Sequence, residues 1–268
     1  MELTERCGAR KEETSMKTAG IIPARYGSSR LPGKPLLEIQ GMPMVWWVYE
    51  RARRAAKLDQ VWVATDDVRI EETCRSLRIP VVMTGKEHRT AAERLQEAAE
   101  QVKADFYVQI NGDEPLIEPS NIDAAVPDEM PAGEEFGTNI IAEVKDPVQL
   151  LHSSNIKVVF DSSYRALYMS RAPVPCPFSS VSFSYYKHVG IIGYSRRMLD
   201  FYKTSVPGRL ERIEGIDTLR FLDYGKELRL IPVEKADSLS VDTEADLLWV
   251  RDRMREEKRL YKFNTGLC

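Results

Sequence analysis

The sequence predicts an α/β fold, a mostly parallel central sheet with helices on both faces and a smaller antiparallel part beside it. Short apolar runs alternate with amphipathic stretches through the first half of the chain. A glycine-bearing basic loop and a Gly-Asp-Glu turn each stand directly behind one of those runs, the place where open parallel sheets bind ligands. After about residue 147 the apolar runs are separated by turn-rich segments, which is an antiparallel texture.

Residues 19–23 read as a first buried strand, followed by the basic loop and a helix over 43–57 with Pro43 suited to its first turn. A strand at 61–65, a helix at 68–77 and a strand at 80–83 come next. The segment 91–103, rich in Ala, Glu and Gln, predicts a helix leading into an apolar strand at 106–110. Residues 156–160, 166–169 and 189–194 read as strands of the antiparallel part. The segments 209–224 and 243–258 are helical in pattern, with a strand at 228–233 between them. Neither a repeat nor a low-complexity tract interrupts this order, so one domain is expected over 17–268, with residues 1–16 as a disordered extension.

At 268 residues and 43% hydrophobic content the chain can bury a sizeable core. A net charge of -3 argues against a general nucleic-acid binder, which needs a concentrated basic surface. The first seventeen residues lack the apolar centre of a secretory signal and no uninterrupted apolar run is long enough to span a bilayer, so a cytoplasmic protein without a membrane partner is expected. Cys7, Cys74, Cys176 and Cys268 are scattered without a CxxC pair, which indicates neither a zinc site nor a disulfide framework. His88, His152 and His188 lack the spacing of a transition-metal site.

Three stretches carry chemistry. The first, IIPARYGSSRLPGKP at 21–35, puts Arg25, Arg30, Lys34 and two glycines behind a strand, the make-up of a polyphosphate cradle whose backbone N–H groups turn toward an anion. It is not a P-loop, because Pro35 follows Lys34 where a hydroxyl residue is needed, and the G-x-G-x-x-G spacing of a dinucleotide site is absent. An ordinary basic surface loop is the alternative. The second is Asn111-Gly-Asp-Glu-Pro at the end of the strand 106–110, where Asp113 is either a metal ligand or a turn residue. The third is Val241-Asp242-Thr243-Glu244-Ala245-Asp246, where Asp242 fits an N-cap and a metal ligand equally well.

The loop PARYGSSRLPGKPL resembles the nucleotide-binding loop of the 3-deoxy-manno-octulosonate (Kdo) cytidylyltransferases, members of the sugar nucleotidyltransferase group that make CMP-Kdo. Further blocks follow in that family's order: VATDD at 63–67, H-x-x-x-x-E-R at 88–94, NGDEP at 111–115, IKVVFD at 156–161 and ALYMSRAPVP at 166–175. KHVGIIGYSRRML at 187–199, RLERIEGIDTLRFLDYGKEL at 209–228 and VDTEADL at 241–247 complete the series.

The resemblance implies a GT-A-like nucleotidyltransferase domain in which roughly 147–195 serves dimerisation and the sugar site, and a homodimer. It implies a Mg2+ ion shared by Asp113 and Asp242, and a nucleotide, CTP, held by Ala24, Arg25, Gly27, Ser28, Arg30, Lys34, Arg94 and Asn111. Lys157, Ser170, Arg171, His188 and Asp217 fall in its sugar-facing blocks, where a substrate carboxylate requires cations. The implied reaction transfers CMP from CTP to the anomeric hydroxyl of Kdo with loss of pyrophosphate. Arg25, Lys34, Asp113 and Asp242 would be its catalytic residues.

The chain departs from the family pattern in three places. His88-Arg-Thr-Ala-Ala-Glu-Arg94 replaces H-x-S-G-T-[DE]-R near the base, Asn111 replaces a common Gln, and Ile216-Asp-Thr-Leu-Arg220 replaces L-E-Q-L-R near the sugar. These changes leave open a different base, a different acceptor such as an amino-substituted Kdo, another sugar acid or a phosphonate, and a binding protein without turnover.

Overall fold

The computed structural model describes residues 16–265 except 28–29, 131–133, 180–182, 235 and 237–239, with side chains to residue 256. The extension expected over 1–16 therefore lies outside the described residues except for Met16, which packs against the core.

From the N-terminus, β1 (Thr18–Ala24) leads through the basic loop and a 3-10 turn (Lys34–Leu36) to a short hairpin of β2 (Glu38–Ile39) and β3 (Met42–Pro43) and then to α1 (Met44–Ala52). β4 (Gln60–Thr65), α2 (Val68–Ser76), β5 (Val81–Met83), α3 (Ala91–Gln101), β6 (Phe106–Ile110) and α4 (Pro119–Ala125) continue the alternation. β7 (Phe136–Glu143), α5 (Pro147–Leu151), β8 (Lys157–Phe160), β9 (Ala166–Ser170) and β10 (Tyr186–Ser195) follow. The chain ends with α6 (Arg196–Thr204), α7 (Arg209–Glu214), α8 (Leu219–Asp223), β11 (Glu227–Val233) and α9 (Glu244–Thr265).

The main sheet runs β11-β7-β10-β6-β1-β4-β5, with β8 attached to β10 and β9 to β8. All neighbours along that path are parallel except β10, which is antiparallel to both β6 and β7. The expected fold class is thus the one observed, a mainly parallel sheet between helices with antiparallel β8 and β9 at its margin. One apolar cluster joins β1, β6 and β10 to α3, α6 and α8, and a second joins the same strands to α1, α2 and α4. Alternate strand residues feed opposite clusters, as in Ile21 and Ile22.

Local chemistry sets the helix bounds. Asp67 caps α2 by accepting from the Arg69 N–H at 3.0 Å, and Thr90 and Glu93 form a reciprocal capping box at the start of α3. The helix expected over 43–57 starts one residue later and stops at Ala52, because Pro43 is the extended N-cap that closes β3. The single helix expected over 209–224 is two, since Gly215 adopts φ 63° and ends α7. The last helix runs past the expected residue 258 to Thr265.

Three central elements escaped the sequence reading: α4, β7 and α6. β7 is buried over seven of its eight residues, yet Gly137, Thr138 and Asn139 interrupt its apolar run. Those polar groups find partners inside the sheet. Thr138 Oγ1 donates to the Ala125 carbonyl at 2.6 Å, and the Asn139 amide donates to the carbonyls of Val189 and Ile191 at 3.0 and 3.1 Å. Those two carbonyls lie where the β10 register shifts between His188 and Ile192, so Asn139 satisfies the bulge.

Gly112 fixes how closely the ends of β1 and β6 approach. A Cβ there would sit 2.7 Å from the Pro23 carbonyl oxygen, a backbone atom that cannot swing aside. Gly112→Ala should therefore lower stability by about 1–3 kcal/mol, read as a lowered Tm in thermal unfolding; an unchanged Tm would show that the two strand ends separate freely.

Candidate active site

Three chain segments meet at the carboxyl ends of β1 and β6. β1 delivers Ala24, Arg25 and the basic loop, β6 delivers Asn111, Gly112 and Asp113, and the turn before α9 delivers Asp242. Together with His88, Arg89, Thr90, Ala91 and Arg94 they line a cleft of about 350 Å³.

The loop is bent back on itself by Gly33, whose φ of 69° is a left-handed conformation that a side chain disfavours, and its N–H donates to the Tyr26 carbonyl at 2.9 Å. A Cβ on Gly33 would also meet the Tyr26 ring at 3.1 Å. The bend opens the 3-10 turn that aims Lys34 into the cleft, and Pro35, which denies the loop a P-loop character, sits at its second position. Lys34 Nζ lies 2.9 Å from Asp113 Oδ2 and 3.0 Å from Asp242 Oδ1. Arg30 adds a second cation, 3.0 Å from the same Asp242 oxygen.

Burial pulls the Lys34 pKa down, but Asp113 and then Asp242 outweigh it and hold the ammonium above the usual lysine range. A third link is through the backbone, where the Val241 N–H donates to the Asp113 carbonyl at 2.8 Å. Behind it, Val241, Leu247, Val250 and Met254 of the α9 region pack against Leu31, Ile39, Met44 and Leu116. An apolar cluster thus brings Asp242 to the loop, some two hundred residues away in sequence.

The two readings of Asp242 separate on this geometry. Asp246, not Asp242, accepts from the N–H groups of Asp242 and Thr243 at 3.0 and 2.7 Å, while Thr243 Oγ1 accepts from the Asp246 N–H at 3.2 Å. The cap is therefore a Thr243–Asp246 box, which leaves the Asp242 carboxylate turned to Lys34 and Arg30. Asp113 and Asp242 present hard carboxylate oxygens to one cationic point, a donor pair of the kind that holds Mg2+ beside phosphate. Among the described residues no cluster of three or more His, Cys, Asp or Glu side chains suits a metal.

The remaining nucleotide-side residues divide. Ala24 and exposed Arg25 line the cleft, as does Asn111, whose side-chain oxygen accepts from Gln109 at 3.2 Å and whose N–H donates to the Gly190 carbonyl at 3.0 Å. Arg94 also lines it but is nearly buried, with its guanidinium held by Thr84 and, at 2.8 Å, by Asp66. Gly27 is exposed and not part of the lining, and Ser28 lies outside the described residues. Sequence reasoning singled out Arg94 alone from its segment. The cleft rim also takes in His88, Arg89, Thr90 and Ala91, and the Thr90-x-x-Glu93 spacing, a helix-start signature, was the signal that marks them.

None of the five expected sugar-side residues is among those lining the cleft. Lys157, Ser170 and Arg171 are brought together by the β8–β9 pair and the end of α7. The fully buried Lys157 ammonium donates to the carbonyls of His152, Asn155 and Arg171, which uses all three of its N–H groups. The Arg171 guanidinium donates to the carbonyls of Ser153, Glu214 and Gly215 at 2.9, 2.7 and 3.1 Å. Ser170 donates to Glu214 at 2.7 Å. Both cations expected to meet a substrate carboxylate are thus engaged with the main chain.

His188 and Asp217 stand apart from that group. Asn139 donates through its amide nitrogen to carbonyls and so turns its oxygen, 2.7 Å away, to His188 Nδ1, which must be the protonated nitrogen. Burial and then the Arg171 cation push the His188 pKa down to about 4, so the ring is neutral at neutral pH. The Asp217 carboxyl is raised by burial, against N–H groups of Ala92 and Thr218 that pull it down.

Residues 19–228 match the family described as Cytidylyltransferase. The chain is 40% identical over 236 residues to 8-amino-3,8-dideoxy-manno-octulosonate cytidylyltransferase of Shewanella pealeana, covering 87% of this chain and 96% of that one. It is 39% identical over 241 residues to 3-deoxy-manno-octulosonate cytidylyltransferase of Escherichia coli, covering 90% and 97% respectively. Among solved structures, CMP:2-keto-3-deoxy-manno-octonic acid synthetase complexed with CTP superposes with a TM-score of 0.84 at 37% identity, over 90% of this chain and 99% of that one. The chain belongs to the cytidylyltransferase family.

Proposed function

We propose that this enzyme transfers CMP from CTP to the anomeric hydroxyl of Kdo or its 8-amino analogue and releases pyrophosphate, with Mg2+ as cofactor. The observation that carries the reading is the convergence of Lys34, Arg30, Asp113 and Asp242 at one point of a cleft at the strand ends. Such a site suits a transfer in which no protein nucleophile is needed and catalysis is positioning plus charge neutralisation. The names of the relatives support both acceptors, and the CTP held by the structural neighbour supports the nucleotide.

In this reading the acceptor hydroxyl attacks the α-phosphorus and the bond to the β,γ-pyrophosphate breaks. Arg25, Arg30 and Lys34 hold phosphate oxygens and balance the charge that gathers on the departing group. Asp113 and Asp242 would hold the Mg2+ ion, which when bound draws charge from the phosphates and makes a nearby hydroxyl more acidic. For this the Lys34 ammonium leaves the carboxylates for the phosphates, a short swing for a flexible side chain. Neutral His188, with Nδ1–H given to Asn139, keeps Nε2 as an acceptor for a hydroxyl of the sugar acid rather than a cation for its carboxylate.

Purified protein supplied with Mg2+ should release pyrophosphate from CTP with Kdo or 8-amino-Kdo, and more slowly or not at all from ATP, GTP or UTP. No pyrophosphate from CTP with either acid would end the proposal. Asp113→Asn, nearly the same shape, should lower kcat by roughly 10²–10³-fold with the fold retained; near-normal turnover would remove Asp113 from the metal.

The neutral His188 has a consequence for stability. With a folded pKa of about 4 against about 6.5 in the unfolded chain, the unfolded state binds a proton between these values that the folded state refuses. Stability therefore rises with pH across that window and is lost as pH falls through it. The Tm measured between pH 4 and 7 should fall with acid, and His188→Gln should flatten the slope; an equally steep slope in that variant would assign the titration to another group.

A further inference from the structure

The rim of the cleft opposite the basic loop is the first turn of α3, and it is held from outside the cleft. Within the turn, Thr90 Oγ1 accepts from the Glu93 N–H at 3.1 Å, and Glu93 accepts from the N–H groups of Arg89 and Thr90 at 2.6 and 3.3 Å. These bonds shape the turn without fixing it to the rest of the molecule. Arg94 ties it to Asp66 and Thr84 on one side, and three further contacts reach it from α6, α8 and the turn before α8. Tyr202 of α6 places its hydroxyl 3.2 Å from Thr90 Oγ1. Asp217, between α7 and α8, accepts from the Ala92 N–H. Arg220 of α8 comes within 3.9 Å of Glu93.

Arg220 and Tyr202 are themselves locked. Arg220 is buried, donates to both Glu211 carboxylate oxygens at 2.7 Å, and lies 3.8 Å above the centre of the Tyr202 ring. Tyr202 is 2% exposed, so its hydroxyl has little freedom to look elsewhere. Thr90 is the member of this group that also faces the cleft. A rigid layer of α6 and α8 thus ends in one hydroxyl that touches the cleft wall from behind.

We propose that Tyr202 is a positioning residue for the nucleotide: through Thr90 it sets the first turn of α3 against the cleft while touching no substrate itself. This rests on the nucleotidyl-transfer reading above. The group transferred must lie in line with its attacking hydroxyl, so a wall that shifts by a fraction of an ångström lowers both affinity and rate. Asp217, in the same layer, holds the turn through the Ala92 N–H. The altered 88–94 segment, with alanine at 91 and 92, leaves Thr90 as the hydroxyl that the layer behind can hold.

The test is Tyr202→Phe, which keeps the ring under Arg220 and removes only the hydroxyl. Calorimetric titration of the full chain with CTP and Mg2+ should show the Kd for CTP raised roughly two- to tenfold, the worth of one neutral hydrogen bond. The KM for the sugar acid should stay near the wild-type value, and the Tm should fall by no more than the few degrees that one lost hydrogen bond accounts for. In a Thr90→Val background the same change should add no further loss, since the two hydroxyls act as one unit. Unchanged CTP affinity in Tyr202→Phe, additive losses in the double variant, or a larger fall in Tm with equal weakening of both substrates would each overturn the role. Wild-type protein that binds no CTP would remove the functional reading and this role with it, whereas CTP binding that is equal in wild type and Tyr202→Phe removes the role alone.

Discussion

Two carboxylates held around one ammonium are the constraint on which the site depends. Asp113 and Asp242 would repel each other at this spacing, and Lys34 at 2.9 and 3.0 Å with Arg30 at 3.0 Å makes their approach stable. The partners come from the loop after β1, the end of β6 and the start of α9, positions 79 and 208 residues from Lys34. No local preference brings such segments together. The apolar cluster under α9 and the backbone bond from Val241 to Asp113 do so, and the charges then settle into the arrangement that packing imposes. Half-buried as it is, the cluster is neutral, two cations against two anions. In the proposed reading, an incoming metal–triphosphate complex exchanges partners with it without leaving an uncompensated charge behind.

How much of this was legible in the sequence depended on whether the reason for a residue was local. The basic loop was readable because glycine, proline and clustered cations each have few reasons to be in one short stretch, and the strand before it is a short, mostly apolar run. β7 was not, because Thr138 and Asn139 look unsuited to a buried strand until their partners on α4 and β10 are in view. Asp242 illustrates the middle case. Its sequence context fits a cap and a ligand alike, and only the Asp246 carboxylate taking over the cap separates them.

Lys157 and Arg171 mark the limit of such reading. The blocks they lie in pointed to a carboxylate-binding role, but the groups that engage them are main-chain carbonyls, which leave no trace in residue identity. The Arg171 charge still adds to burial in keeping His188 neutral. All three Lys157 N–H groups are in use, whereas Arg171 spends three of its five on the main chain.

The two halves of the proposed reaction are thereby recognised by different physics. On the nucleotide side the cations Arg25 and Arg30 are exposed, and the binding they supply is strong, salt-sensitive and indifferent to the finer shape of the ligand. Toward the acceptor, Ser170 and the neutral His188 offer uncharged contacts, so selection there draws on hydrogen-bond pattern and fit, where a single misplaced donor costs more than a lost methylene. An acid bearing a hydroxyl and one bearing an amine differ in that kind of feature, and the chain is equally near to relatives named for each, at 39% and 40% identity. Overall similarity then carries no information on the choice, which rests with the few uncharged contacts around the acceptor, while the phosphate-handling residues can be common to both.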